Sequence, residues 1–283
     1  MIPMVPKFPL AHMIDVALNW LTHNFSWLTQ ALSHGISAVI DVIITGLLWV
    51  PPWLLILIVA AIGWRAAGRR VGIFTALGLL FLWNLRLWQP TVETFTLVLI
   101  STLIAVAIGL PLGIAAALSK RTSRVVMPVL DFMQTMPAFV YLIPAIPFFG
   151  LGAVSASVAT VIFSTPPTIR LTALGIQQVP SDLVEAADAF GSSPRQKLFK
   201  VQLPMAVPTI MAGINQTIML ALSMVVIAAM IGAGGLGGKV WQAIQRLEPG
   251  KGFESGIAIV ILAMILDRVT QRIGRGSPAA GAH

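Results

Sequence analysis

The sequence predicts an all-α integral membrane protein with about seven transmembrane helices, within a range of six to eight. Three observations carry that expectation. Hydrophobic residues make up 57% of the 283 positions and charged residues only 10%, against about a quarter charged in soluble domains. Mean hydropathy is +0.89, so no packing of this chain gives a wettable surface, and the solvent it fits is lipid. The charges are also confined to short stretches between apolar runs. Those runs last about 17 to 28 residues, enough to cross a hydrocarbon core of about 30 Å at about 1.5 Å per residue.

Residues 1–50 form the first region. The opening MIPMVPKFPL has neither the basic region, the continuous apolar core nor the small-residue cleavage site of a signal peptide. Over 10–47 apolar positions recur at helical spacing but are interrupted by His12, Asp15, Asn19, His23, Asn24, Gln30, His34 and Asp41. That pattern predicts an interfacial amphipathic helix, with Trp20 and Trp27 at headgroup level. A span near 36–50, spoiled only by Asp41, is the alternative. Accessory spans follow over 51–68 and 72–88 within the region 51–90. The segment 91–272 then holds five more, at 92–118, 125–149, 152–176, 205–232 and 254–271. A short polar tail over 273–283 has the composition of a disordered segment.

Basic residues in alternate connections set the orientation. Arg65, Arg69, Arg70, Lys120, Arg121, Arg124, Arg170, Arg195, Lys197, Lys200, Arg268, Arg272 and Arg275 fall on one side. Lys7, Arg86, Lys239, Arg246 and Lys251 fall on the other. The excess puts the C-terminus and the loop 177–204 in the cytoplasm and, with seven spans, the N-terminus outside; an eighth span moves only the N-terminus. The net charge of +8 therefore reads as topology, not as nucleic-acid binding. With no cysteine, disulfides, thiolate metal sites and cysteine nucleophiles are excluded. His12, His23, His34 and His283 have no metal-site spacing, and no nucleophile elbow or Walker sequence occurs. No catalytic residue is assigned.

Prolines fall inside several spans, at Pro111, Pro137, Pro144, Pro147, Pro166, Pro167 and Pro208. Each removes a backbone donor, and the cluster from Pro137 to Pro147 points to a helix broken beside a cavity. Polar residues within spans tend to face a bundle interior, which makes Gln134, Thr135, Asn215, Gln216 and Thr217 candidates for a path or a helix interface. Phe132, Phe139 and Tyr141 lie among the prolines. They are read either as packing or lipid-facing aromatics or as rings that attract a methylated cation. Asp131 is expected to pair with Arg124. The glycine-rich stretch 231–238 lacks a phosphate loop's Gly-Lys-Ser/Thr ending and predicts a sharp turn with close helix packing.

The polar segment VPSDLVEAADAFGSSPRQKLFKVQLP reads as two short helices. Ser181 is the expected N-cap of the first, with Asp182 in its first turn, and Gly191 supplies a left-handed stop. Ser193 caps the second, with Pro194 at its first position, and Pro204 returns the chain to the membrane. Ala186, Ala187 and Ala189 keep the first helix slim beside Glu185 and Asp188, while the second presents Arg195, Lys197 and Lys200 beside Leu198 and Phe199. Spacing alone leaves a docking knob and an ordinary solvated loop equally open.

Here the segment resembles the cytoplasmic loop of permease subunits of binding-protein-dependent ABC importers: Glu-Ala-Ala, three residues, Gly, nine residues, an aliphatic residue, any residue, Leu-Pro. Glu185, Ala186, Ala187, Gly191, Val201, Leu203 and Pro204 stand at that spacing. QTMPAFVYLIP (134–144), PPTIRLTALGIQQVP (166–180), INQTIMLALSMVVIAAMIGAGGLG (214–237) and ILDRVTQ (265–271) are similar to the subgroup that imports glycine betaine, proline betaine and choline. The resemblance implies a MetI-like type I permease core in the last five spans. It also implies that Glu185, Ala186, Ala187, Gly191, Arg195, Leu203 and Pro204 form the coupling loop. The implied partners are two copies of an ATPase that bind ATP and Mg, a second copy of this chain and an extracytoplasmic binding protein. The implied location is a bacterial inner membrane, and no cofactor falls to this chain. A secondary transporter driven by an ion gradient is the main alternative; it calls for acids within the membrane, and Asp131 and Glu93 lie near span ends.

Overall fold

The computed structural model describes residues 9–275; Lys7, His283 and most of the expected polar tail lie outside the described residues. Among the described residues the secondary structure is helical throughout. The interfacial helix expected over 10–47 divides at Phe25 into α1 (Leu10–Asn24) and α2 (Ser26–Trp49). Unlike that expectation, α2 runs unbroken for 24 residues and is long and apolar enough to cross a membrane. Asp41 does not interrupt it, because Ser37 one turn earlier donates a hydrogen bond to its carboxylate at 3.3 Å.

The helices α3 (Pro52–Ala67) and α4 (Arg69–Asn84) form a hairpin around Gly68, whose φ of 93° is the left-handed stop between them. At 16 residues each they reach about 24 Å, short of a full hydrocarbon core unless the connections contribute. Leu57, Ile58, Ile62, Leu77 and Leu80 of this hairpin are exposed, the outward apolar face that lipid requires. Next comes α5 (Trp88–Leu118), which is 31 residues long and continuous through Pro111.

The single span expected at 125–149 is two helices. The first, α6 (Lys120–Thr135), meets the segment containing a 3₁₀ turn (Ala138–Tyr141) and α7 (Leu142–Phe149) at 111°. The cause is Pro137, which forces the preceding Met136 out of the helical region to ψ 133°. The other prolines do not break their helices: α8 (Ala153–Gln177) continues through Pro166 and Pro167, and Pro208 lies inside α11 (Leu203–Ala229).

At the centre of the fold, α8 is sandwiched between α5 and α11 (Leu203–Ala229). Its inner face is made of small hydroxyl residues, with Ser157, Thr160, Ser164, Thr168 and Thr172 fully buried. Thr160 satisfies its hydroxyl on the carbonyl one turn back, at 2.7 Å from Ala156. Small residues let the backbones approach: a Cβ at Gly113 of α5 would lie 2.6 Å from Cβ of Thr172. Leu82, Leu97, Val98, Leu222, Val225 and Leu262 belong to the main apolar core around this seam.

Past α11 the chain turns through residues 230–234, with Gly232 and Gly234 at positive φ, into α12 (Gly235–Gln245) and then α13 (Pro249–Arg275). The expected sharp turn with close packing is present: a Cβ at Gly237 would lie 2.4 Å from the Val225 carbonyl oxygen. The first turn of α12 is held by α5, where Glu93 accepts from Gly235 N–H at 2.9 Å and Thr94 from Leu236 N–H at 2.8 Å. A carboxylate suits the positive end of a helix.

The fold gathers the two sets of basic residues separately. Arg86, Lys239, Arg246 and Lys251 line one cleft, and Arg70, Arg268 and Arg272 line another. Neither cleft mixes residues of the two sets.

Candidate coupling loop and translocation path

The loop between α8 and α11 starts with α9 (Ser181–Ala189). Its cap is Pro180, not Ser181: Pro180 has extended ψ of 132° and no side-chain cap bond exists, while the Ser181 hydroxyl contacts Asp182. Ser181 is already the first helical residue. At the other end Gly191 takes φ 72°, and the helix closes with Gly191 N–H on the Asp188 carbonyl (2.9 Å) and Ser192 N–H on the Ala187 carbonyl (3.0 Å). These two bonds are the left-handed stop that glycine allows without a steric cost.

Ser193 then begins a reciprocal cap. Its hydroxyl accepts from Gln196 N–H at 3.3 Å and its own N–H donates to the Gln196 side chain at 2.8 Å. With α10 (Pro194–Lys197) the structure departs from two separate short helices. Residues Pro194–Ala229 form one 36-residue helix, joined by a π turn over Leu198–Gln202 in which Leu203 N–H reaches the Leu198 carbonyl. Pro204 has no N–H for the Lys200 carbonyl, and the wider turn just before it accommodates that missing bond without breaking the helix. Arg195 and the transmembrane length of α11 are thus parts of one rod.

One ion pair ties α9 to this rod. Lys197 Nζ lies 2.8 Å from each carboxylate oxygen of Asp188. The rod itself is seated on α8 and α5: Leu198, Ala206 and Ile210 form a small second core with Ile176 of α8, and Leu203 and Ile114 of α5 pack against it. Ala187 is only 9% exposed, so the slim outer face is Ala186 and Ala189 beside exposed Glu185. The outer side also carries Phe190 at 91% exposure and Phe199 at 65%. Leu198, expected outside with Phe199, is buried. Two aromatic rings projecting from a charged knob do not suit a free loop in water, and they fit insertion into another protein.

The candidate path residues separate into groups. Gln134 and Thr135 are exposed where α6 ends at the bend, with the Thr135 hydroxyl donating to the Phe132 carbonyl at 2.9 Å. Phe139 is half exposed beside them. Tyr141 is 4% exposed; it packs edge-on against Phe163 and its hydroxyl donates back to the Met133 carbonyl, bracing the bend. Phe132 and Phe139 are exposed whereas Tyr141 is buried, so the three rings do not share one environment. Thr217 is fully buried between α11 and α8, donating to the Ser164 carbonyl at 2.9 Å and 2.7 Å from the Thr168 hydroxyl. Gln216 is exposed. Asn215 points at α13, where its amide donates to Asp267 at 2.8 Å and its carbonyl accepts from Thr270 at 2.8 Å. Asp131 pairs with Arg170 at 2.5 Å instead of Arg124, because α8 brings Arg170 across from a distant part of the sequence.

Residues 109–276 match the family model described as "Binding-protein-dependent transport system inner membrane component". The chain belongs to this family. The permease is 52% identical over 269 residues to the glycine betaine transport system permease protein OpuAB of Bacillus subtilis, covering 95% of each chain. It is 54% identical over 277 residues to the glycine betaine/carnitine transport permease protein GbuB of Listeria monocytogenes, covering 96% of this chain and 98% of the relative. With the glycine betaine/proline betaine permease protein ProW of Escherichia coli it shares 48% identity over 93% of its own length and 76% of the relative's. The fold is also that of a chain in the inward-facing MetNI methionine ABC transporter, with a TM-score of 0.63, 24% identity and coverage of 68% and 95%.

Sequence reading of the permease missed Asp267. This half-buried carboxylate accepts from Asn215 and also from Gln271 at 2.7 Å, and among the described residues it has no cationic partner. The signal was its position within an apolar stretch, ILDRVTQ, where an acid is expensive unless bonded. Phe190 was missed for a different reason: nothing in the pattern of α9 distinguishes an outward from an inward aromatic at the helix end.

Proposed function

We propose that this permease imports glycine betaine or a related quaternary ammonium solute, such as proline betaine or choline, by alternating access driven by a separate ATPase. The observation that carries the substrate class is similarity along almost the whole chain to relatives named as glycine betaine permeases, at 52% identity over 95% of both sequences for one of them. The geometry of the loop supports the energy coupling. An external surface that grips Phe190, Ala186 and Phe199 moves α9 and the base of the rod together, because the Asp188–Lys197 pair ties the two, and the rod continues into α11. A rod continuous from Pro194 to Ala229 carries it into the membrane, where Asn215 couples α11 to α13.

The proposed assembly is two copies of this chain, two ATPase subunits holding ATP and Mg, and an extracytoplasmic binding protein. Two knobs for two ATPase clefts make the homodimer the simplest arrangement. ATP binding then biases a two-state permease toward the outward-open form. Gln134, Thr135, Phe139 and Gln216 stay in the proposed path; Tyr141 and Thr217 leave it because of their burial, and Asn215 acts at the α11–α13 interface. The C-terminus and the coupling loop face the cytoplasm. With α2 counted as a span, the N-terminus joins them there, replacing the outside position that seven spans imply.

The test is uptake into proteoliposomes of the permease with its ATPase. Glycine betaine should accumulate only with ATP inside the catalytic compartment and binding protein outside. Accumulation driven by an ion gradient without the ATPase would overturn the proposal in favour of a secondary transporter.

A further inference from the structure

Four helix ends in this fold close in the same way, with one N–H reaching back five residues and the preceding N–H three. Each needs a residue in the left-handed region, where glycine is the usual occupant. After α9 and α11 that residue is glycine, Gly191 at φ 72° and Gly232 at φ 89°. After α4 it is Arg86 at φ 57°, and after α12 it is Leu247 at φ 56°. For a leucine this conformation is costly, and Leu247 gains nothing back from packing, being 87% exposed. A strained and exposed leucine at a position that glycine fills elsewhere in the chain points to function.

The two strained residues meet at one place. Arg86, Lys239, Arg246, Glu248, Lys251 and Glu254 line a groove of about 310 Å³ at the end of the molecule opposite the coupling loop, and Leu247 lies between two of its lining residues. Glu248 and Lys251 neutralise each other at 3.0 Å. Among the described residues Arg86, Lys239 and Arg246 have no ion-pair partner, which leaves the groove net positive. We propose that this groove is the face on which the extracytoplasmic binding protein docks, with Leu247 as the apolar contact at its rim and Arg86 as an ionic contact to an acidic patch on that protein. The inference rests on the import reading above and adds the surface to it. An apolar side chain held out from a rigid turn and ringed by charge has the anatomy of an interface anchor, and the surplus positive charge steers an acidic partner.

The strain makes the proposal testable in a way that simple disruption is not. Leu247→Gly and Arg86→Gly remove the side chain and relieve the backbone, so each variant keeps or raises the thermal midpoint of the permease–ATPase complex. Each should nonetheless raise, by about tenfold or more, the binding-protein concentration needed for half-maximal uptake, while ATP hydrolysis without binding protein stays at the wild-type rate. Leu247→Asn, which tolerates the left-handed turn but removes the apolar group, should behave like Leu247→Gly. An unchanged binding-protein requirement in these variants overturns the docking face, as does a complex that falls to half its mass, which would make Leu247 a contact between two copies of the permease. Wild-type uptake that needs no binding protein would instead overturn the import reading, so the two failures are separate.

Discussion

Gly191 is where the chemistry of a single backbone position bears most directly on coupling. Its φ of 72° costs an ordinary L-residue about 1–2 kcal/mol and a β-branched residue more. A Cβ at this position meets nothing within 4 Å, so replacement creates no clash inside the chain and the penalty is one of conformation alone. A variant escapes it by giving up the closing bonds from Gly191 to Asp188 and from Ser192 to Ala187, at about 1 kcal/mol each. Either route puts Gly191→Val about 2 kcal/mol from the native loop, equivalent to a fall of roughly thirtyfold in the population of the correctly closed knob. Asparagine tolerates the left-handed region, which predicts the order Gly, Asn, Ala, Val for coupling. The assay is solute taken up per ATP hydrolysed in proteoliposomes, with membrane insertion checked by yield. A simple obstruction of the ATPase socket would make asparagine, whose side chain reaches one atom further from the backbone, worse than valine. Equal coupling in Gly191→Val and wild type, or a worse result for Asn than for Val, refutes the backbone argument.

Other substitutions separate structure from path. Gly237→Ala places a Cβ 2.4 Å from the Val225 carbonyl oxygen, and the clash with backbone predicts a large drop in folded yield, read by size-exclusion chromatography; normal yield would mean that α12 can shift freely against α11. Thr217→Val strips the partner from the Ser164 carbonyl and the Thr168 hydroxyl and should cost about 1–3 kcal/mol of stability with no change in substrate KM. A raised KM at unchanged thermal stability would return Thr217 to the path. Tyr141→Phe loses the bond to Met133 and should lower stability by about 1 kcal/mol while betaine and proline uptake change alike. A selective loss for the quaternary ammonium solute would restore a role in cation recognition.

The helices were legible because lipid leaves little freedom: apolar runs of sufficient length become helices, and the lengths of α5 and α11 follow from that alone. The local structure of the loop at 181–204 was legible for a second reason, since capping chemistry is local. Ser193 with Gln196, and glycine at Gly191, are instructions that act over a few residues. What pattern reading could not reach were the consequences of distant packing. Arg170 meets Asp131 only because α8 lies across α6, and Asn215 meets Asp267 only because α13 returns beside α11. The bend at Pro137 was anticipated as a break, but its 111° angle depends on how α7 docks on α8. Ser181 was assigned the cap because serine is a good capping residue, whereas Pro180 had already set the extended geometry and left Ser181 inside the helix. Polarity suggested a path at Thr217 and an aromatic face suggested one at Tyr141; burial with satisfied hydrogen bonds shows that such a group in a membrane helix can equally be a joint.

The central claim is that the knob at 181–204 receives the energy of ATP from a separate subunit. The permease contains no cysteine, so a single Ala186→Cys introduces one thiol on the exposed face of α9. Cross-linking it to a single cysteine in the cleft of the ATPase gives the most direct measurement. The account predicts a disulfide-linked permease–ATPase species, loss of ATP-driven betaine uptake on oxidation, and recovery of uptake on reduction. Unchanged uptake in a fully cross-linked complex, or a knob that never cross-links to the ATPase while uptake proceeds, would contradict it.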